Sequence, residues 1–300
     1  MPRYTREQVR RRRRTVAGCC AVLILVLAVA AVSCTIRVVR GTGAEADPAE
    51  ASAAPATTGV RLADPEAMTL AETPADAPAR AQLPEGIELE PGETMGIDVS
   101  SHQGQIDWQA VAGDGYTFAY IKATEGSGYT DPQFAANWKG SGEAGLTRGA
   151  YHYFTLCSPG ADQARDFLAA VPPEDAALPP VLDLEFDGAC QERPEAEQAQ
   201  AEIDAFTRSV EAAWGRRVVV YSSSEWRLHY GLPVGDGRAA WHYDDDSRPE
   251  DGDWAVWQVR FDGQVAGIGR TADVDVLRSE VLREFSSISE DERVALSGQL

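Results

Sequence analysis

Three stretches of the chain place carboxylates where an apolar strand would ordinarily exclude them. Gly96-Ile97-Asp98-Val99-Ser100 carries Asp98, and Val181-Leu182-Asp183-Leu184-Glu185-Phe186 carries two acids. Ala272-Asp273-Val274-Asp275-Val276-Leu277 carries Asp275, with Asp273 two places before it. A charge inside a buried strand is costly unless it is paired or put to use. Asp183 and Glu185 are two apart, so on a strand both point to one side and Leu184 faces the opposite layer. Two carboxyls in one partly desolvated site cannot both ionise easily, so one keeps its proton toward neutrality. A proton donor beside a charge stabiliser is what cleavage of a glycosidic bond requires. Acids in a salt bridge or a metal cage share the same D-x-E spelling. The acids on the other two stretches, with aromatics nearby, favour catalysis.

The aromatics concentrate at the same strand ends. Tyr151 and Tyr153 alternate around His152, Tyr221 closes the run Val218-Val219-Val220-Tyr221, and Trp257 stands beside Gln258. Aromatic faces pack on the C–H face of a sugar while polar tips and amides bond its hydroxyls, which makes Tyr151, Tyr153, Tyr221, Trp257 and Gln258 substrate-binding candidates. Asp244-Asp245-Asp246 lacks the ordered alternation and distal Glu of a calcium loop. Cys157 and Cys190 lack the His and spacing of a zinc site. No metal and no cofactor are expected. The two cysteines directly follow two successive strand candidates, whose loops would be neighbours on an oxidising side, so a disulfide between them is expected.

These groups need a scaffold, and the periodicity supplies one from Met95 to about Phe285. Strands are expected at Gly96–Ser100, Thr117–Ala123, Gly149–Phe154, Val181–Phe186, Val218–Ser222, Ala239–Tyr243, Trp254–Val259 and Asp273–Leu277. Helices are expected at Asp131–Ala144, Ala161–Ala170 and Pro194–Trp214, the last with Pro in its first turn and Gly215 just past its end. Strand–helix alternation followed by mostly strands indicates an α/β domain around a largely parallel sheet. Eight strand candidates suggest a compact relative of the TIM barrel.

The rest of the chain reads differently. Residues 1–14 form a basic cytoplasmic segment, and Thr15 to Ile36 gives 22 consecutive residues without a charge. As a helix that run reaches about 33 Å, enough for a hydrocarbon core of ~30 Å. Arg10 to Arg14 on its N-terminal side orients it, so 15–39 is expected to be a transmembrane signal anchor with the domain outside the cytoplasm. Ala31-Val32-Ser33-Cys34 loosely resembles a lipoprotein cleavage box, which keeps a lipoprotein or a secreted protein as alternatives. Residues 40–94 lack aromatics and are rich in Ala, Pro and Glu, the composition of a disordered linker. Residues 286–300 are read as a tail. Residues 1–40 hold nine arginines and one acid, leaving 18 bases against 46 acids in the remainder. So acidic an exterior excludes a nucleic-acid partner, whose phosphates reward Lys and Arg. The expected partners are a membrane, through the N-terminal helix, and a glycan; a monomer is expected.

In order along the domain, the motifs resemble glycoside hydrolase family 25, the Chalaropsis-type muramidases. The likeness rests on GIDVSSHQGQIDW from Gly96, YIKATEG from Tyr120 to Gly126, and RGAYHYF from Arg148 to Phe154. PVLDLE from Pro180 to Glu185, VVYSS from Val219 to Ser223, and Trp257-Gln258 complete it. The resemblance implies a modified (β/α)5(β)3 barrel and hydrolysis of the β-1,4 bond after N-acetylmuramic acid in peptidoglycan glycan strands. It implies Glu185 as general acid/base, Asp183 as its assisting partner, Asp98 as the acid of the first strand and Asp275 as the acid of the final V-D-x-N motif. Lys122, inside YIKATEG, joins the substrate-binding candidates. Three positions depart from the family's pattern: Leu277 for the Asn, Trp241 where Ala is usual, and Val259 where an aromatic follows Gln258. A weak or inactive peptidoglycan-binding module, or a hydrolase of another amino-sugar polymer, is the alternative.

Overall fold

The computed structural model describes residues 68–231, 237–250, 252 and 254–298. The expected segments 1–14 and 15–39 and the first part of the expected linker lie outside these residues. Among the described residues no helix is long and apolar enough to cross a membrane.

Among the described residues nine strands form one sheet: β1 (Glu93–Val99), β2 (Phe118–Glu125), β3 (Tyr129–Thr130), β4 (Thr147–Tyr153), β5 (Val181–Leu184), β6 (Val219–Ser222), β7 (Ala240–Tyr243), β8 (Trp254–Gln264) and β9 (Thr271–Arg278). Among the described residues seven α-helices accompany them: α1 (Trp108–Gly113), α2 (Phe134–Glu143), α3 (Gly160–Ala170), α4 (Ala196–Trp214), α5 (Ser224–Tyr230), α6 (Ser279–Ser286) and α7 (Glu290–Ser297). The sheet closes on itself in the order β1-β2-β4-β5-β6-β7-β8-β9, because β1 pairs with both β2 and β9; β3 is a short hairpin arm on β2. Neighbours from β1 round to β8 run parallel, and β9 runs antiparallel to both strands it joins. Helices follow β1, β2, β4, β5 and β6 before three closing strands. The expected α/β barrel is present, with eight strands in the ring.

Alternation assigns every strand residue a side. Ile97, Ile121, Leu182 and Val274 face outward into the core layer beneath the helices, which also holds Phe154, Phe167 and Phe206. Phe118, Tyr120, Val181, Val219, Trp241, Val256 and Leu277 face inward and fill the floor of the barrel. Glycine makes room for the largest of these rings: a Cβ on Gly96 would lie 2.5 Å from the Phe118 ring, and one on Gly149 2.2 Å from Tyr120. Trp241, where the family pattern has Ala, packs against Tyr120 with the ring centres 5.1 Å apart and the planes tilted, and belongs to this floor.

Two expected boundaries are corrected. Residues 68–92 are not free linker. Met68 is buried against the barrel floor, Ala77 and Ala79 are buried at the start of a 3-10 turn at Pro78–Gln82, and the Thr73 hydroxyl accepts the Met95 N–H at 2.7 Å. Too poor in apolar residues to bury a face of its own, the segment uses surface supplied by the barrel. The tail is likewise docked. Arg217 meets Glu292 at 2.7 Å, and the Arg293 guanidinium donates to the Ala212 carbonyl at 3.1 Å, fixing α7 against α4.

Candidate active site

The C-terminal ends of the parallel strands open on one mouth, and the inward parity of each strand delivers a polar group there. β1 brings Asp98, β2 Lys122, β4 Tyr151 and Tyr153, β6 Tyr221, β7 Tyr243 and β8 Gln258. Asp183 comes from β5 and Glu185 from just beyond it. Register places Asp98 directly beside Asp273 on β9, and Asp183 between Tyr153 and Tyr221.

The carboxyls feel one another across this mouth. Burial, then the negative charges of Asp273 and Glu185, hold Asp98 well above the ordinary carboxylate range. Asp183 is raised in the same way by burial and by Glu185, with which it shares a side-chain hydrogen bond. Its Oδ1 is buried and has no hydrogen-bond partner. Glu185 is pushed up to about 7 by burial and by Asp187, against the opposing effects of the Asp183 hydrogen bond and of Lys122. Asp273 also reaches about 7, by burial and then Glu185, although a hydrogen bond with Gln258 pulls it down. Burial and mutual repulsion therefore favour the protonated forms across the cluster.

Lys122 is the cation of the cluster. Its Nζ lies 2.6 Å from Glu125 and 4.6 Å from the centre of the Tyr153 ring, with Tyr129 at 6.0 Å. The Tyr153 hydroxyl accepts the Gly188 N–H at 2.9 Å, tying the segment after Glu185 to β4. Cys157 and Cys190 are bonded to each other with their Cα atoms 5.7 Å apart, joining the loops after β4 and β5. Tyr153, Glu185, Phe186, Gly188, Cys190 and Arg193 line a small recess beside the acid pair.

Two site expectations are corrected. Asp275 does not reach the mouth. It pairs in register with Gly96, one layer below Asp98, and is fully buried with both carboxyl oxygens unpartnered. Asp273 holds the position expected for it. The sequence signal was present, since only one phase of D-V-D puts the first acid level with Asp98, but the partner strand was needed to choose it. Trp257 is not a substrate contact. It is fully buried on the outer side, with its indole N–H donating to the Asp244 carbonyl at 2.8 Å. Adjacent residues on a strand face opposite ways, so Trp257 and Gln258 cannot both line the mouth. His152 is another outward residue. It bridges Thr124 at 2.7 Å and Gln163 at 2.9 Å, stacks on Phe206, and is kept neutral by burial, which lowers it to about 4. Lys122 reaches the mouth as expected; Tyr243, level with Gln258, and Glu125, paired with Lys122, belong there too and are not among the sequence candidates.

The family model described as glycosyl hydrolases family 25 matches residues 97–268. The chain is 37% identical over 195 residues to the uncharacterized protein YegX of Escherichia coli, covering 62% of this chain and 70% of that one. It is 32% identical over 212 residues to lysozyme M1 of Streptomyces globisporus, covering 64% of this chain and 70% of that one. Among solved structures, a family 25 glycosyl hydrolase from Bacillus anthracis superposes with a TM-score of 0.59 at 30% identity, covering 69% of this chain and 94% of that one.

Proposed function

The chain belongs to glycosyl hydrolase family 25, and from that premise we propose that it is a peptidoglycan hydrolase, a muramidase in which Glu185 is the general acid/base. The observation that carries the assignment of roles is the hydrogen-bonded Asp183–Glu185 pair at the barrel mouth, with Glu185 raised to about 7. A carboxyl that still holds its proton near neutrality can donate it to the glycosidic oxygen as the bond to the leaving sugar breaks.

Asp183 assists. Beside Glu185, it orients the N–H of the substrate's own acetamido group, whose carbonyl oxygen then attacks the anomeric carbon. The leaving sugar departs with Glu185's proton. Glu185, now a carboxylate, takes a proton from water, which opens the cyclic intermediate and restores the enzyme with retained configuration. Such substrate assistance departs from the usual scheme of two carboxylates acting directly. Asp98 and Asp273 form the opposite bank and bond sugar hydroxyls there. On this reading Asp273 is the acid of the final family motif and Asp275 takes the place of its Asn, so Leu277 marks no missing hydrogen bond.

Digestion of purified peptidoglycan, borohydride reduction of the new ends and mass spectrometry test the reading. Muramitol is expected. Glucosaminitol would assign the other glycosidic bond, and no released ends would leave only a binding module. We also propose that residues 15–39 anchor the domain outside the membrane, supported by the uncharged run and the arginines before it. Membrane fractionation of the full chain, with mass determination of its N-terminus, distinguishes an uncleaved anchor from a lipoprotein or a secreted form.

A further inference from the structure

β8 leaves its ladder twice. Gln258 pairs with Asp275, Arg260 with Val274 and Gly263 with Ala272, so the strand carries an extra residue before Arg260 and another before Gly263. The first bulge sends both Val259 and Arg260 outward. Val259 is buried there, and Arg260 donates to the Gln82 carbonyl at 3.2 Å. A bulge of this kind re-aims the residue that follows it. Phe261 thereby returns to the face that carries Gln258, level with Asp273. Its ring stands 6.0 Å from the Tyr243 ring, edge to face, and is 40% exposed.

The position of that ring in the circle matters more than its exposure, since single exposed apolar residues are common. In the closed order, β8 stands opposite β4 and β7 opposite β2. Tyr129, 43% exposed on the β3 arm, marks the β2–β4 side beside Lys122 and Tyr153. The acids occupy the other two sides, Asp98 and Asp273 on β1 and β9, Asp183 and Glu185 at β5. A polymer laid so that one bond lies between the two acid banks must run from the Tyr129 side to the Phe261 side.

We propose that Phe261, seated on Tyr243, is a stacking platform for a pyranose of the same glycan strand, beyond the two sugars that flank the bond at Glu185. This rests on the glycan reading above. The C–H face of the sugar covers the exposed ring, and the ring's fixed edge-to-face contact with Tyr243 makes the platform rigid before the sugar arrives.

The test is binding, which separates the platform from the chemistry. Peptidoglycan glycan fragments of two to eight sugars are titrated against the full chain carrying Glu185→Gln, and against the same chain carrying Phe261→Ala or Phe261→Trp in addition. Affinity should rise about tenfold once the fragment is long enough to cover half a phenyl ring. The Ala variant should lose that rise, and the Trp variant should keep it. A rise of equal size in the Ala variant, an equal loss at every length, or no rise in the parent overturns the platform. If wild-type protein releases muramitol while any of these holds, only the platform falls; if neither cleavage nor binding occurs, the glycan reading falls with it.

Discussion

Asp187→Asn and Lys122→Met should move the alkaline limb of kcat/KM in opposite directions. On the proposed mechanism Glu185 must be protonated to act as acid, so in the free enzyme that limb should fall as pH rises through about 7. Asp187 is exposed on the segment after β5, and its negative charge helps hold the proton on Glu185. A unit charge at ~6 Å through a water-like medium is worth about 0.7 kcal/mol, against 1.36 for one pH unit. Removing it should shift the limb about half a pH unit toward acid. Lys122 acts in the other sense, lowering both Asp183 and Glu185. Its side chain is only 11% exposed, which strengthens its field, but Glu125 at 2.6 Å cancels much of it. Its loss should shift the limb toward alkali by up to about one unit. The assay is the initial rate of release from soluble peptidoglycan fragments between pH 5 and 9 at constant ionic strength. Added salt should shrink the Asp187 shift more than the Lys122 shift, because exposed charges are screened first. Limbs left at the wild-type position, or both displaced the same way, would refute an electrostatic origin for the raised acid.

Glu185→Gln should cut turnover of peptidoglycan by about 10²–10⁴-fold with an unchanged circular dichroism spectrum; wild-type rates in that variant would reject its role. Asp98, Asp183, Glu185, Asp273 and Asp275 all hold protons above their ordinary range. Their contribution to stability is therefore full below the unfolded range near about 4 and is lost as pH rises, through about 7 for Glu185 and Asp273. The melting temperature should fall between pH 5 and pH 8, and Asp275→Asn should flatten that fall; a rise toward pH 8 would contradict it. Arg238→Ala should cost about 3–5 kcal/mol in urea unfolding, because it strands the buried Glu211 carboxylate that Arg238 grips at 2.7 and 2.8 Å; a loss below 1 kcal/mol would show that Glu211 is sustained otherwise. Cys157→Ser with Cys190→Ser opens a link spanning 33 residues and should cost about 3–4 kcal/mol in the same measurement; no change would mean that the unfolded loop is already restricted.

The barrel was legible because each parallel strand, buried on both faces, spells a short apolar run, and the eight runs expected from the sequence all fall on strands of the ring. The acids stood out because they interrupt those runs. What parity alone left open was phase. Asp273 and Asp275 are both inward-facing, and only pairing with β1 shows that one reaches the mouth and the other lies under it. Trp257 and Gln258 are neighbours in the chain, yet a strand turns adjacent side chains to opposite faces, so only Gln258 looks into the mouth. Phe261 was invisible for a related reason: two bulges change which side each residue takes, and no local pattern announces a bulge that its partner strand defines. Helices α1, α5, α6 and α7 are six to eight residues long, too short to show a periodic face. They are held by what they pack on.

The antiparallel seam between β9 and β1 governs how this domain comes into being. The first strand of the ring acquires its second neighbour only from Thr271–Arg278, some 180 positions downstream, so until those residues are available β1 presents a raw hydrogen-bonding margin. Contacts that distant must wait for the largest loop-closure cost. The same closure that seals the ring also carries Asp273 to Asp98, so the acid bank exists only once the barrel is shut.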